Sequence, residues 1–310
     1  MEFDLPTCYF KIYAFISAFY STLSFWVTLE MWKFFFKNRK TLKRMIHPGL
    51  FRQFLIMQTM NVLHVTIDFF VVRIPNTSVF TDYCSSENPQ TQLETLVFLN
   101  YSILYSKHFT TVFFCFLRVV LLFSNQFWIT TISNAVFFTS LASVLLGFSL
   151  AFPRILSPVI CAQLGFPYPV GSIIILSEMR NDETPLHEVL DVIITPSVVI
   201  ILIVLNIFMF TKLYQKRKLH SILRKKDTKK AEKVLSITII LILLPAIVNF
   251  AISVFIIFDM FAPPLFLIRP YFIDARAHIV NFYFFLTHPL FKKKRIAQLV
   301  PAKRVTFASH

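Results

Sequence analysis

NFYFFLTHPLFKKKR, residues 281–295, runs an aromatic segment holding Asn281, His288 and Pro289 straight into four cations. A nuclear address or a nucleic-acid grip would explain the cations and leave the aromatic run without a purpose. The inner edge of a membrane span explains both halves, because Lys and Arg are retained on the cytoplasmic flank of apolar helices.

The rest of the chain supports the membrane reading. Of 310 residues, 56% are hydrophobic, 16% aromatic and only 15% charged, with a mean hydropathy of +0.65; a soluble domain carries about 25% charged residues. Apolar stretches of about 20 residues recur, long enough to cross a hydrocarbon core of roughly 30 Å as helices. The formal charge of +15 is concentrated in KNRKTLKR (37–44), KRK (216–218), RKKDTKK (224–230) and KKKR (292–295). Basic patches beside spans follow the positive-inside rule, and a nucleic-acid partner is not needed to account for them.

The pattern predicts an all-α membrane protein, a bundle of seven transmembrane helices near 10–36, 50–74, 92–118, 127–152, 189–213, 233–259 and 265–290, with a short basic tail over 291–310. Loops 37–49, 119–126 and 214–232 and the tail then share one side with nearly all the loop Lys and Arg. The opposite side carries Glu2, Asp4, Asp82, Glu87, Glu178, Asp182, Glu183 and Glu188, which places the amino terminus outside. MEFDLPTC lacks a basic leader segment, so the first span is expected to serve as its own uncleaved signal.

Two features agree with that orientation. The sequon Asn76-Thr77-Ser78 falls in an outer loop and is a candidate for glycosylation. Cys84 and Cys161 fall in successive outer loops, where a disulfide persists. Cys8 is also outside, so three pairings are open, with Cys84–Cys161 preferred; Cys115 lies in a span and is expected to pack as a small apolar residue.

Ionisable groups inside spans are costly unless they face the bundle interior, which makes each a candidate site. Asn61, His64 and Asp68 recur at helical spacing on one face of the second span. The third span contributes Lys107 and His108, and IDARAHIVN in the seventh supplies Asp274, Arg276, His278 and Asn281. Pairing of Asp68 with Arg276, or of Lys107 with Asp274, would offset the cost of isolated charges. The residue types alone suit a structural register, a ligand contact or a proton relay equally. Pro196, Pro245 and Pro289 lie inside or at the ends of the last three spans, and Pro245 is placed for a swivel within the sixth.

Seven spans, an outer amino terminus, Arg118 at the inner end of the third span, Pro245 in the sixth and an Asn and Pro motif closing the seventh together resemble a G-protein-coupled receptor. The ending RPYFIDARAHIVNFYFFLTHPLFKKK is similar to the nematode serpentine chemoreceptors, within the Srg superfamily. The resemblance implies detection of a small external molecule at the plasma membrane, often at sensory cilia, and signalling through a heterotrimeric G protein. It implies coupling or switch roles for Arg118, Pro245, Asn281 and Tyr283. The pattern departs from the rhodopsin-like one in two places. Leu117 stands where an acid usually precedes the arginine, and Asn281, Tyr283 and Pro289 are spaced differently from Asn-Pro-x-x-Tyr.

Alternatives are limited. The seventh span has no Lys for a retinal Schiff base, and no cofactor is called for. The chain has no HExxH, Gly-rich phosphate loop or nucleophile elbow, which argues against an enzyme. A secondary transporter or channel using the intramembrane Asp, Lys and His groups is the competing reading, opposed by the lack of paired, broken-helix halves. Anionic lipid is a further expected partner of the basic loops.

Overall fold

In the computed structural model the described residues are 5–38, 47–84, 90–123, 126–165, 168, 170–177, 186–219, 226–257, 262–289 and 291. Seven long helices carry the fold: α1 Leu5–Lys37, α2 Pro48–Asp68, α3 Gln90–Phe123, α4 Gln126–Ala151, α5 Leu186–Leu219, α6 Lys226–Ile257 and α7 Ala262–Thr287. Six of them are long and apolar enough to cross a membrane unaided. The other is α7, which contains Arg269, Asp274 and Arg276.

Large apolar side chains lie on both surfaces of the bundle. Phe15, Phe25 and Trp26 of α1, Phe137 and Phe138 of α4, and Ile200 and Phe208 of α5 point outward, as expected where the solvent is lipid rather than water. The interior is a continuous aromatic and aliphatic core in which Phe51 and Phe54 of α2, Phe114 of α3 and Phe284 of α7 are fully enclosed. The rings of Phe54 and Phe284 sit 4.1 Å apart, centroid to centroid.

Lipid gives helices little hydrophobic reason to associate, so close backbone approach and interhelical hydrogen bonds matter more. At the α3–α4 seam, a Cβ on Gly147 would meet the Ser106 Cα at 2.8 Å; glycine is needed for the two backbones to come this close. Ser106 Oγ donates to the Ser102 and Val144 carbonyls at 2.7 and 3.1 Å. Gln53, fully buried, ties three helices: its Nε2 donates to the Thr110 carbonyl at 3.0 Å and its Oε1 accepts from Ser140.

The outer face departs from an all-helical reading. β1 Val159–Gln163 and β2 Ile173–Ser177 form an antiparallel hairpin in the loop after α4, with Cys161 opposite Ile175. A disulfide joins Cys161 to Cys84, which ends the single helical turn Thr81–Cys84. Val159 and Ile175 pack on Leu93 and Val97 of α3. Gly171, at φ +85°, presents its carbonyl to Thr81 Oγ1 at 2.5 Å, and Ser172 Oγ donates to the Asn76 carbonyl at 2.7 Å. The hairpin thus lies over the outer ends of α2 and α3. Burial there pushes the Tyr168 phenol above its ordinary range.

Several boundaries differ from the sequence expectation. α3 continues to Phe123, one turn beyond Arg118, so that arginine lies inside the helix rather than at its end. α5 and α6 extend to Leu219 and from Lys226, taking up most of the expected third inner loop as helix. α7 contains Pro270 and stops at Thr287, leaving Pro289 just beyond it. Residues 39–46, 224–225 and 292–295 lie outside the described residues, as do the side chains of Cys8 and of the cations at 216–218 and 226–230.

Candidate functional site

A column of polar side chains descends the bundle interior between α1, α2, α3 and α7. Its outer storey is built by an irregularity in the backbone. After Asp68, α2 widens into a π-turn over Phe69–Arg73, with Ile74 N–H bonded to the Phe69 carbonyl at 3.0 Å. In a regular α-helix, residues five apart point well away from each other; the wider π-turn brings them toward one face. Arg73 therefore turns inward. Its two terminal nitrogens donate to the two Asp274 oxygens at 2.7 and 2.5 Å, and one reaches Asp68 Oδ2 at 3.4 Å. Ser17 of α1 accepts a further bond, and the guanidinium lies 5.6 Å from the Tyr13 ring centroid.

This corrects the sequence pairings. Asp68 does not face Arg276, and Asp274 does not face Lys107; both carboxylates are taken by Arg73. Helical periodicity could not locate Arg73, because a regular α2 would point it away from the Asn61, His64 and Asp68 face. A signal was nevertheless present: a lone Arg at the end of an apolar span, five residues after its only nearby acid.

The middle storey has the opposite character. Lys107 Nζ lies 3.2 Å from His64 Nδ1, and Arg276 Nη2 donates to Thr111 Oγ1 at 2.8 Å. His108 and Arg276 are within electrostatic reach of both Lys107 and His64. Gln58 and Asn61, three residues apart on α2, are fully enclosed, and among the described residues neither amide has a hydrogen-bond partner. On the α1 side, His278 Nδ1 is hydrogen-bonded to Ser24 Oγ at 2.6 Å. Of the sequence-predicted residues, His64, Lys107, His108 and Arg276 thus come together, with Asn61 one turn from His64 on the same face of α2; Asp68 and Asp274 join Arg73 above them, and His278 faces α1.

Lower still, Asn281 Nδ2 donates to the Ser24 carbonyl at 2.8 Å and Thr28 Oγ1 at 3.0 Å, tying α7 to α1. Tyr283, two positions on, lies on another side of α7 and packs against the hydrophobic core. The two residues do not form a joint motif. Near the inner end, His288 stacks on Phe284 at 4.7 Å. Arg118, 4% exposed, crosses from α3 to α6, where it donates to the Leu235 carbonyl at 2.6 Å and to Ser236 Oγ at 3.0 Å. Asn76 sits in the short turn Pro75–Thr77 above α2, and Cys115 is buried in the core.

A polar column sealed inside seven helices, with an arginine bridging the third and sixth at its base, fits a receptor that passes a signal inward. A family model described as serpentine type 7TM GPCR chemoreceptor Sru matches residues 1–294. The chain belongs to the Sru family. The resemblance in the sequence points to the Srg superfamily, and Sru is the class that the match supplies. No curated protein matches the chain. As an Sru receptor it is a multi-pass membrane chemoreceptor of the G-protein-coupled type and not an enzyme; a small-molecule ligand and a G protein are the partners that membership implies.

Among the described residues, no group of His, Cys, Asp and Glu is arranged to hold a metal ion.

Proposed function

We propose that a small external molecule held among α2, α3 and α7 activates this Sru receptor by releasing the tie that Arg118 makes to α6, and that a heterotrimeric G protein binds the cleft so opened. The observation that carries this reading is the pair of hydrogen bonds from buried Arg118 to Leu235 and Ser236. A charged donor bonded in a dry interior is worth about 1.5–3 kcal/mol. That is enough to bias a packing equilibrium without freezing it.

Leu117 stands where an acid would precede Arg118, and the bonds from Arg118 to α6 go to a carbonyl and a hydroxyl. Pro245 lies nine residues beyond Ser236 in the same helix, about 13 Å along the axis. Its missing N–H leaves α6 a swivel between the tie and the outer half. A ligand drives the change only through tighter binding to the released packing, since equal affinity for both shifts nothing. The basic runs near 216–230 and 292–295 would hold the receptor's inner face against anionic lipid at about 1 kcal/mol per cation.

Nucleotide exchange on G protein in receptor-containing membranes tests the reading, with agonists supplied by a screen through a promiscuous G protein. Agonist-evoked exchange should appear with the native chain; with Arg118→Ala, which removes the tie, exchange should already be raised before agonist is added, so that the increment evoked by agonist shrinks. Flux of the agonist into sealed vesicles without exchange would support transport instead.

A further inference from the structure

We infer that the middle storey of the column is a binding site for the carboxylate of a small organic acid, with Lys107 and Arg276 as its two cationic contacts. This rests on the receptor reading and adds to it the ligand's chemical class.

The case begins with charge balance. Lys107 and Arg276 are 5% and 7% exposed, and among the described residues neither is within ion-pair distance of a carboxylate. Asp68 and Asp274, in the storey above, both bond Arg73; the negative charge left over from two carboxylates on one guanidinium is in electrostatic reach of Lys107 through Asp68, and Arg276 keeps no carboxylate in reach among the described residues. What Lys107 and Arg276 do contact is neutral: the His64 ring and the Thr111 hydroxyl. Lys107 and Arg276 are thus within electrostatic reach of each other, with the imidazoles of His64 and His108 in reach of both, and the middle storey holds more positive than negative charge. Each charge near the middle of a span costs roughly 2.5–3.5 kcal/mol on insertion scales unless it is paired.

Hydrogen-bonding capacity points the same way. Arg276 Nε, His108 Nδ1 and both ends of the Gln58 and Asn61 amides are buried and unpartnered among the described residues. A buried polar group that makes no hydrogen bond is destabilising; Arg276 and His108 belong to the cationic group itself, and Gln58 and Asn61 lie on the stretch of α2 that leads to His64. A carboxylate answers both deficits: it accepts bidentately from a guanidinium, and its remaining lone pairs suit an ammonium and an amide NH2. The organic body would lie along the face of α3 leading outward, displacing or parting the side chains packed there. Tyr101, Tyr105 and His108 recur at helical spacing on that face, and the two tyrosine rings are 6.2 Å apart.

The test uses the purified full-length receptor in detergent and straight-chain monocarboxylates from butanoate to decanoate, each beside its primary amide and methyl ester, all in the same chloride buffer. Thermal stability reports binding without any need for G protein. At least one acid should raise the melting temperature in a saturable manner while its amide and ester do not. Lys107→Met and Arg276→Gln should each weaken that acid about tenfold or more, and Arg276→Lys should weaken it less than Arg276→Gln. If the variants do not fold, the acid-against-amide comparison on the native chain decides alone. The inference is overturned if no acid shifts the melting temperature, if amide and ester shift it equally, or if folded Lys107→Met binds the acid as tightly as the native chain. Acid binding without nucleotide exchange would sink the coupling reading and leave the site standing; exchange evoked only by neutral molecules would do the reverse.

Discussion

Arg73 and Asp274 close a two-pronged ion pair between α2 and α7, with the arginine side chain only 1% exposed. Removing one partner of such a pair leaves the other charge buried and uncompensated, at a cost of about 3–5 kcal/mol. Asp274→Asn and Arg73→Gln should therefore each sharply reduce surface expression. The exchange Arg73→Asp with Asp274→Arg should recover part of it, incompletely because Asp68 would then face a carboxylate. Expression of Asp274→Asn and Arg73→Gln equal to that of the native chain would show that the pair does not hold the helices together.

Gly147 reverses a general expectation. Ala normally stabilises a helix relative to Gly by about 1 kcal/mol, but at this position even a methyl group meets the Ser106 backbone. Gly147→Ala should lower the melting temperature of the purified receptor, and Gly147→Val should lower it further, in keeping with about 1–3 kcal/mol for overpacking. Ser106→Gly should not rescue either variant, because the obstacle includes main-chain atoms.

How legible these features were in the sequence follows from their periodicity. Seven helices and their polar faces could be read because lipid imposes long apolar runs and a regular helix keeps Asn61 and His64 in line. The charge partners could not. Arg73 reaches Asp274 only through a π-turn that no regular spacing encodes. The hairpin of VICAQ and IIILS was hidden for a related reason, since two five-residue strands in a loop leave little pattern against a background this apolar. Arg118 was visible as a residue, but its tie to the Leu235 carbonyl depends on helix packing and on a main-chain atom, which carries no residue signature.

The Cys84–Cys161 bond joins the helical turn Thr81–Cys84, which precedes α3, to the hairpin across 77 residues. Loop closure of that length constrains the unfolded chain, and disulfides typically contribute about 2–4 kcal/mol. The double variant Cys84→Ser with Cys161→Ser should lose thermal stability and surface expression. Either single variant should lose at least as much, because it leaves an unpaired thiol. A melting temperature insensitive to reductant in the native protein would count against a stabilising role for this bond.

Ser236 gives the cleanest access to the switch. Its hydroxyl accepts from Arg118 at 3.0 Å, while Arg118 also donates to a carbonyl that no side-chain change removes. Ser236→Ala should thus weaken the α3–α6 tie without abolishing it, by about 1 kcal/mol. A shift of that size multiplies the ratio of released to tied receptor about fivefold. Basal nucleotide exchange, measured without agonist and normalised to receptor number, should rise by up to that factor, and agonists should act at lower concentration because less of their differential affinity is spent on breaking the tie. Basal exchange equal to or below that of the native receptor, at matched surface density, would mean that the Arg118 bond to Ser236 does not restrain activation.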